Sequence, residues 1–160
     1  MAKVKTTGLN ETIKMLETLT KESDEILEAS LVEGGGIVTD VMRAEVSGLK
    51  TGDNYAAGKE TKRYARPKEV QGLLDSLGYT PVHNNNDVFD IKTGFDGYNG
   101  IVTKKYPRGH ANQMVANAIN KGTSFMQAQP FINRTTRKAK AEAIDAIEKK
   151  LDSEIKKLTF

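Results

Sequence analysis

Between Lys59 and Lys68 the chain carries five cations, Lys59, Lys62, Arg63, Arg66 and Lys68, opposed by Glu60 alone and with Tyr64 interleaved. Such a segment can neutralise phosphates without reading a base sequence, because backbone contacts to nucleic acid carry no sequence information. It can also dock on an acidic neighbouring subunit, or stand as a solvated loop. The two histidines, His83 and His110, lie in loop-like contexts with no HExxH or other metal-ligand spacing around them. Asp87, Asp90 and Asp96 do not make an acid–base pair. Asp90 falls on the polar face of a strand pattern, and the other two stand where turns favour aspartate. The triplet Gly34-Gly35-Gly36 lacks the context of a phosphate-binding loop, and no GxSxG elbow is present. With no cysteine, thiol nucleophiles, thiolate metal sites and disulfides are all excluded. The expectation is a protein that is not an enzyme, with no catalytic residue, cofactor or metal ligand to nominate.

Length and composition bound the scaffold that must hold these residues. A chain of 160 residues, 38% apolar and 28% charged, fits one globular domain spanning 1–160. The net charge of +3, from 24 basic and 21 acidic side chains, is too small to name nucleic acid as the partner by itself. Met1 to Thr7 lacks the apolar run of a signal peptide, and no stretch approaches the length of a membrane span. A cytoplasmic protein with no membrane partner is expected.

The patterning predicts an α+β fold. Residues 3–7 suit a short edge strand, and Gly8-Leu9-Asn10-Glu11 reads as a helix start with Asn10 as N-cap. Apolar positions from Ile13 to Leu49 keep helical spacing, as one long helix or two joined near Thr20–Ser23. The glycine triplet either breaks that run or forms a smooth patch for close packing. Periodicity resumes in phase at Ile37 and Val41, which favours the patch. Residues 50–69 read as a basic loop and Gly72–Leu77 as a short helix that Gly78 can cap. An extended piece at Tyr79–Val82 leads to a turn at His83–Asp87, then to a strand from Phe89 to Phe95 with period two. Asp96–Gly100 reads as a hairpin connection to a return strand at Ile101–Thr103, completing a small antiparallel meander. After a loop at 104–110, Ala111–Asn120 suits a short helix that ends at Lys121–Ser124. Last comes an amphipathic helix whose stripe is Ile144, Ile147, Leu151, Ile155 and Leu158. The expected architecture is a long N-terminal helix and an amphipathic C-terminal helix packed on a small antiparallel sheet.

The run Ala118-Ile119-Asn120-Lys121-Gly122-Thr123-Ser124-Phe125-Met126-Gln127-Ala128-Gln129-Pro130-Phe131-Ile132 resembles a signature of the head–tail joining proteins of long-tailed bacteriophages. Members of that family, described as neck, tail-completion or minor tail components, show a Glu-x-Gly-Thr segment, an Ala-x-Pro-Phe turn and an amphipathic C-terminal helix. The opening Gly8–Glu11 before a long helix, the small-residue patch at Gly35, and Gly72-Leu73-Leu74-Asp75-Ser76-Leu77 before the sheet are similar to further family segments in the same order. Two departures stand out. Asn120 replaces the usual glutamate, with Lys121 before Gly122, and Tyr55–Arg66 is longer and more basic than the pattern.

The resemblance implies a structural virion protein of a siphovirus-like particle. It would be a ring-forming subunit of the head–tail junction, as a neck, tail-completion or tail-terminator component. Its implied partners are further copies of itself in a homo-oligomeric ring, the head-closure connector and the tail-tube proteins. Non-specific contact with genomic DNA in the channel is a further implication, and the host cytoplasm is the place of assembly. Gly122 allows a tight backbone after a short helix, Pro130 fixes the approach to the last helix, and Phe131 can anchor it. Gly122, Thr123, Pro130 and Phe131 are candidate subunit-interface residues. Lys59, Lys62, Arg63, Arg66 and Lys68 are candidates for touching DNA or a neighbour. The rival expectation is a small non-specific nucleic-acid-binding protein.

Overall fold

The computed structural model describes residues 9–52, 62–86 and 88–158, with side chains from Glu22 to Lys157. Helix α1 (Leu9–Ser47) is unbroken through the glycine triplet. It already includes Leu9, so Asn10 lies inside the helix and is not its N-cap; the strand expected at residues 3–7 falls outside the described residues. Helix α2 (Pro67–Ser76) begins five residues before Gly72, because Pro67 takes the first helical position, where its missing N–H costs nothing. It runs directly into strand β1 (Leu77–Tyr79), so Gly78 is a strand residue and does not cap the helix.

The predicted meander is instead one hairpin in two registers. β1 pairs antiparallel with β4 (Thr93–Phe95), and β2 (His83–Asn85) pairs with β3 (Val88–Asp90). The ladder continues to Thr80, whose N–H donates to the Lys92 carbonyl at 2.9 Å. Pro81 then has no N–H to offer, and the pairing resumes one residue out of step at His83–Asp90. The turn read over His83–Asp87 is therefore strand for three residues. Asn86, with φ of 52°, makes the turn and is among the few residue types that tolerate this backbone. Ile101–Thr103 forms no strand, and the chain after Gly97 closes on a single bridge between Tyr98 and Ala111.

Helix α3 (Asn112–Lys121) and helix α4 (Phe131–Leu158) complete an α+β architecture with long N-terminal and C-terminal helices and a small antiparallel sheet. The core lies at one end of the molecule. Val46, Leu73, Ile119 and Phe131 are fully enclosed, with Leu49, Val70, Leu77, Phe95 and Val115 around them. Each such side chain contributes about 1.5–3 kcal/mol of transfer free energy. The Phe131 ring meets Phe95 edge-on, with centroids 6.0 Å apart.

Helix α4 runs antiparallel along α1. Arg134 and Lys138 meet Glu45, Ile147 meets Gly34, and Glu154 and Lys157 lie beside Glu22 and Glu25. The buried face of α4 is Phe131, Thr135, Ala139 and Ala143, four residues apart. The predicted isoleucine stripe is displaced outward: Ile144 and Ile155 remain 45% and 47% exposed. The positions buried along α4 are instead the smaller Thr135, Ala139 and Ala143, with Ile147 seated over Gly34. The glycine patch receives two isoleucines. A Cβ on Gly34 would stand 2.5 Å from Ile147 Cδ1, and one on Gly35 would stand 2.8 Å from Ile91 Cδ1. The buried hydroxyls of Ser30, Thr39 and Thr135 donate to carbonyls one turn earlier, at 2.7, 2.8 and 3.0 Å, so none is left without a bond.

Candidate functional site

The two segments singled out from the sequence meet. Arg63 forms a parallel bridge with Met126: its N–H donates to the Phe125 carbonyl, and its carbonyl accepts from Gln127, both at 2.9 Å. The end of the basic segment is thereby laced to the turn between α3 and α4. The Arg63 guanidinium lies inward, 7% exposed, and donates two bonds to Glu69 at 2.9 and 3.0 Å. Glu69 is three residues past Arg66 and accepts the Arg66 amide at 2.8 Å, so one carboxylate both caps α2 and neutralises Arg63. Burial pushes the Glu69 carboxyl up, but the Arg63 guanidinium and the Arg66 amide together outweigh it and hold it below the ordinary carboxylate range. Arg63 is thus a strut and not a phosphate contact. Of the other predicted cations, Lys62 is exposed, Lys68 is exposed on α2, Arg66 is half-exposed at the head of α2, and Lys59 lies outside the described residues.

The turn itself is tightly determined. Gly122 ends α3 with φ of 75° and donates to the Ala118 carbonyl at 2.8 Å; a Cβ there would stand 3.0 Å from Ala128 N and Cβ. The Thr123 hydroxyl accepts from Met126 at 3.0 Å. Asn120 accepts the Ile132 amide at 3.0 Å and so caps the first turn of α4 from outside the helix. The Gln129 side chain clamps Lys50 from both sides, accepting its N–H at 2.8 Å and donating to its carbonyl at 3.0 Å. Among the proposed interface residues, Pro130 is exposed and Gly122 and Thr123 are half-buried. Phe131 is 0% exposed, because its ring fills the core beside Phe95, and so it offers nothing to a neighbour.

Beside the strut lies an open cleft of about 390 Å³, lined by Arg66, Tyr106, His110, Met114, Phe125 and others. Phe125 and Met114 are more than half exposed, and Arg63 sits 5.8 Å from the Phe125 ring centroid. The Tyr106 and His110 rings pack at 4.2 Å on the far wall. They belong to a loop pinned at its base by Asn99, whose Oδ1 accepts the amides of Ile101 and His110, both at 3.0 Å. That loop carries Lys104, Lys105 and Arg108, all exposed.

Of the lining residues, Arg63 and Arg66 were candidates from the sequence and His110 was set aside, whereas Tyr106, Met114 and the loop cations were not singled out, yet a countable signal was there. From Gly97 to Ala141 the chain contains eight lysines and arginines and not one carboxylate. Among the described residues no group of three histidine, aspartate or glutamate side chains is placed to hold a metal ion, and no helix is long and apolar enough to cross a membrane. The arrangement can hold an apolar or aromatic group beside the Arg66 cation. No protein-family model, curated protein or solved structure matches the chain.

Proposed function

We propose that this protein is a structural virion subunit of a tailed phage that assembles into a ring at the head–tail junction, as a neck, tail-completion or tail-terminator component. The observation that carries the reading is the resemblance over Ala118–Ile132, in order with Gly8–Glu11, Gly35 and Gly72–Leu77. The geometry supports it by giving the resembling residues framework roles. Gly122 makes the left-handed turn, Phe131 anchors α4 in the core, and Gly35 admits Ile91. Residues that set angles between elements suit a part whose work is to hold a shape among copies of itself.

A ring demands a heterologous contact, in which one patch meets a different patch on the next copy. Mass photometry and negative-stain images of the purified protein test the proposal, with closed particles of a single size as the expected result. A chain that remains monomeric at high concentration overturns self-assembly into rings. The rival reading, non-specific binding of nucleic acid, is favoured by the acid-free stretch from Gly97 to Ala141 and its exposed Lys104, Lys105 and Arg108. It requires a retention on DNA by the monomer that falls steeply with salt.

A further inference from the structure

Charge is unevenly distributed along the chain. Opposite the acid-free stretch in the sequence stands a base-free one: from Glu22 to Met42 there are six carboxylates and no lysine or arginine. Four of these, Glu25, Glu28, Glu33 and Asp40, are exposed, and at 100° per residue they share one side of α1 with Val32, itself 39% exposed. Near Gly34 that side lies opposite α4, whose isoleucine at 147 fills the Gly34 hollow, and at Glu25 it borders Glu154 and Lys157 of α4. The result is an acidic ridge with an apolar centre. The cleft beside Arg63 has the reverse character: its lining combines the apolar and aromatic Phe125, Met114 and Tyr106 with Arg66 and the Arg63–Glu69 pair, and the exposed Lys62, Lys104, Lys105 and Arg108 stand close to lining residues in the chain.

Ridge and cleft belong to different ends of the chain's fold. The ridge lies along the part of α1 beside the later turns of α4, whereas the cleft adjoins α2, α3 and the start of α4. One copy therefore cannot satisfy its own charges by this route, but a row of copies can. We propose that the acidic ridge of α1 on one copy docks in the cationic, aromatic cleft of the next, head to tail. This rests on the ring reading and supplies the contact that reading lacks. Complementary charge orients the approach, and the apolar centres of both patches exclude water once they meet. A nucleic acid strand would satisfy the cleft but leave the ridge unexplained, whereas a second copy satisfies both.

The test is charge exchange, read by light scattering on a sizing column at low salt. One variant carries Lys104→Glu, Lys105→Glu and Arg108→Glu; a second carries Glu25→Lys, Glu28→Lys and Glu33→Lys; a third carries all six. The wild type is expected above the 17.6 kDa monomer mass, each single set at that mass, and the six-fold variant again above it. Recovery in the six-fold variant also shows that the single sets fold. Wild-type assemblies that are indifferent to either set overturn the docking and leave the ring reading standing. Open filaments sensitive to both sets uphold the docking and remove the ring. A wild type that is monomeric at low salt and high concentration overturns the docking. So does a Lys104/Lys105/Arg108 set that abolishes retention on single-stranded DNA while assembly is unchanged.

Discussion

Replacing Arg63 by alanine isolates the strut. It leaves Glu69 with its side chain 10% exposed and with the Arg66 amide as its remaining named donor. Breaking a buried ion pair by removing one partner costs about 3–5 kcal/mol, mainly because the stranded charge keeps its desolvation penalty. The pair borders an open cleft, so water reaches one edge and the lower end, about 3 kcal/mol, is expected. For a chain of this size each kcal/mol lowers Tm by about 2–4 °C, which gives a loss of about 6–12 °C by calorimetry at pH 7. Two controls separate charge from packing. Arg63→Met with Glu69→Leu removes both charges, and the pair should recover most of the loss. In Arg63→Ala alone, burial is no longer outweighed, so the Glu69 pKa rises and the deficit relative to wild type shrinks as pH falls toward 5. A deficit under about 1 kcal/mol, or a double variant no more stable than the single one, would refute the strut.

Neighbouring glycines should respond with opposite signs. Gly36→Ala meets nothing within 4 Å and should stabilise α1 by about 0.5–1 kcal/mol, whereas Gly34→Ala collides with Ile147 and should cost about 1 kcal/mol in urea unfolding. Gln129→Ala strips two bonds from the Lys50 backbone and should lower the urea midpoint by the equivalent of about 1–3 kcal/mol with an unchanged slope. Acid titration followed by circular dichroism should show stability intact above the ordinary carboxylate value of 4.5 and falling below it. Glu69 and Glu45, the latter held down first by Arg134 and then by Lys138, both have lowered folded-state pKa values, so protonation removes their contribution as pH drops through them.

The sequence made some of this legible and concealed the rest for physical reasons. The long α1 and the in-phase glycine patch could be read because helical periodicity is a local property, and Phe131 declared itself by following Pro130. Strand pairing is not local. His83-Asn84-Asn85 reads as turn by composition, but the ladder to Val88–Asp90 supplies its backbone bonds and overrides that preference. Ile101–Thr103 looks like a strand and has no neighbour to pair with. On α4 the hydrophobic contrast pointed to the isoleucines, whereas contact with α1 selects for smallness, which leaves no peak in a hydrophobicity pattern. At the site, the five cations of the basic segment look equivalent in the sequence. Only the placement of Glu69 inside α2 distinguishes Arg63, turning it inward while Lys62 remains in water. The cleft walls come from three separate stretches of chain, and folding alone brings them together.

The one-sided core also divides the molecule into two parts of unequal stiffness. Val46, Leu73, Ile119 and Phe131 hold one end of α1 and α4 together, whereas further along the same pair the buried positions are small, Ser30, Gly34, Ala139 and Ala143, with Ile147 seated over Gly34. Amides around Val46 should then exchange with solvent only through global unfolding, and those toward Glu22 through smaller, cheaper openings. A helix pair clamped at one end and lightly packed at the other can change its tilt without disturbing the clamp. In the proposed ring, the strain of closing would fall on the end least expensive to bend.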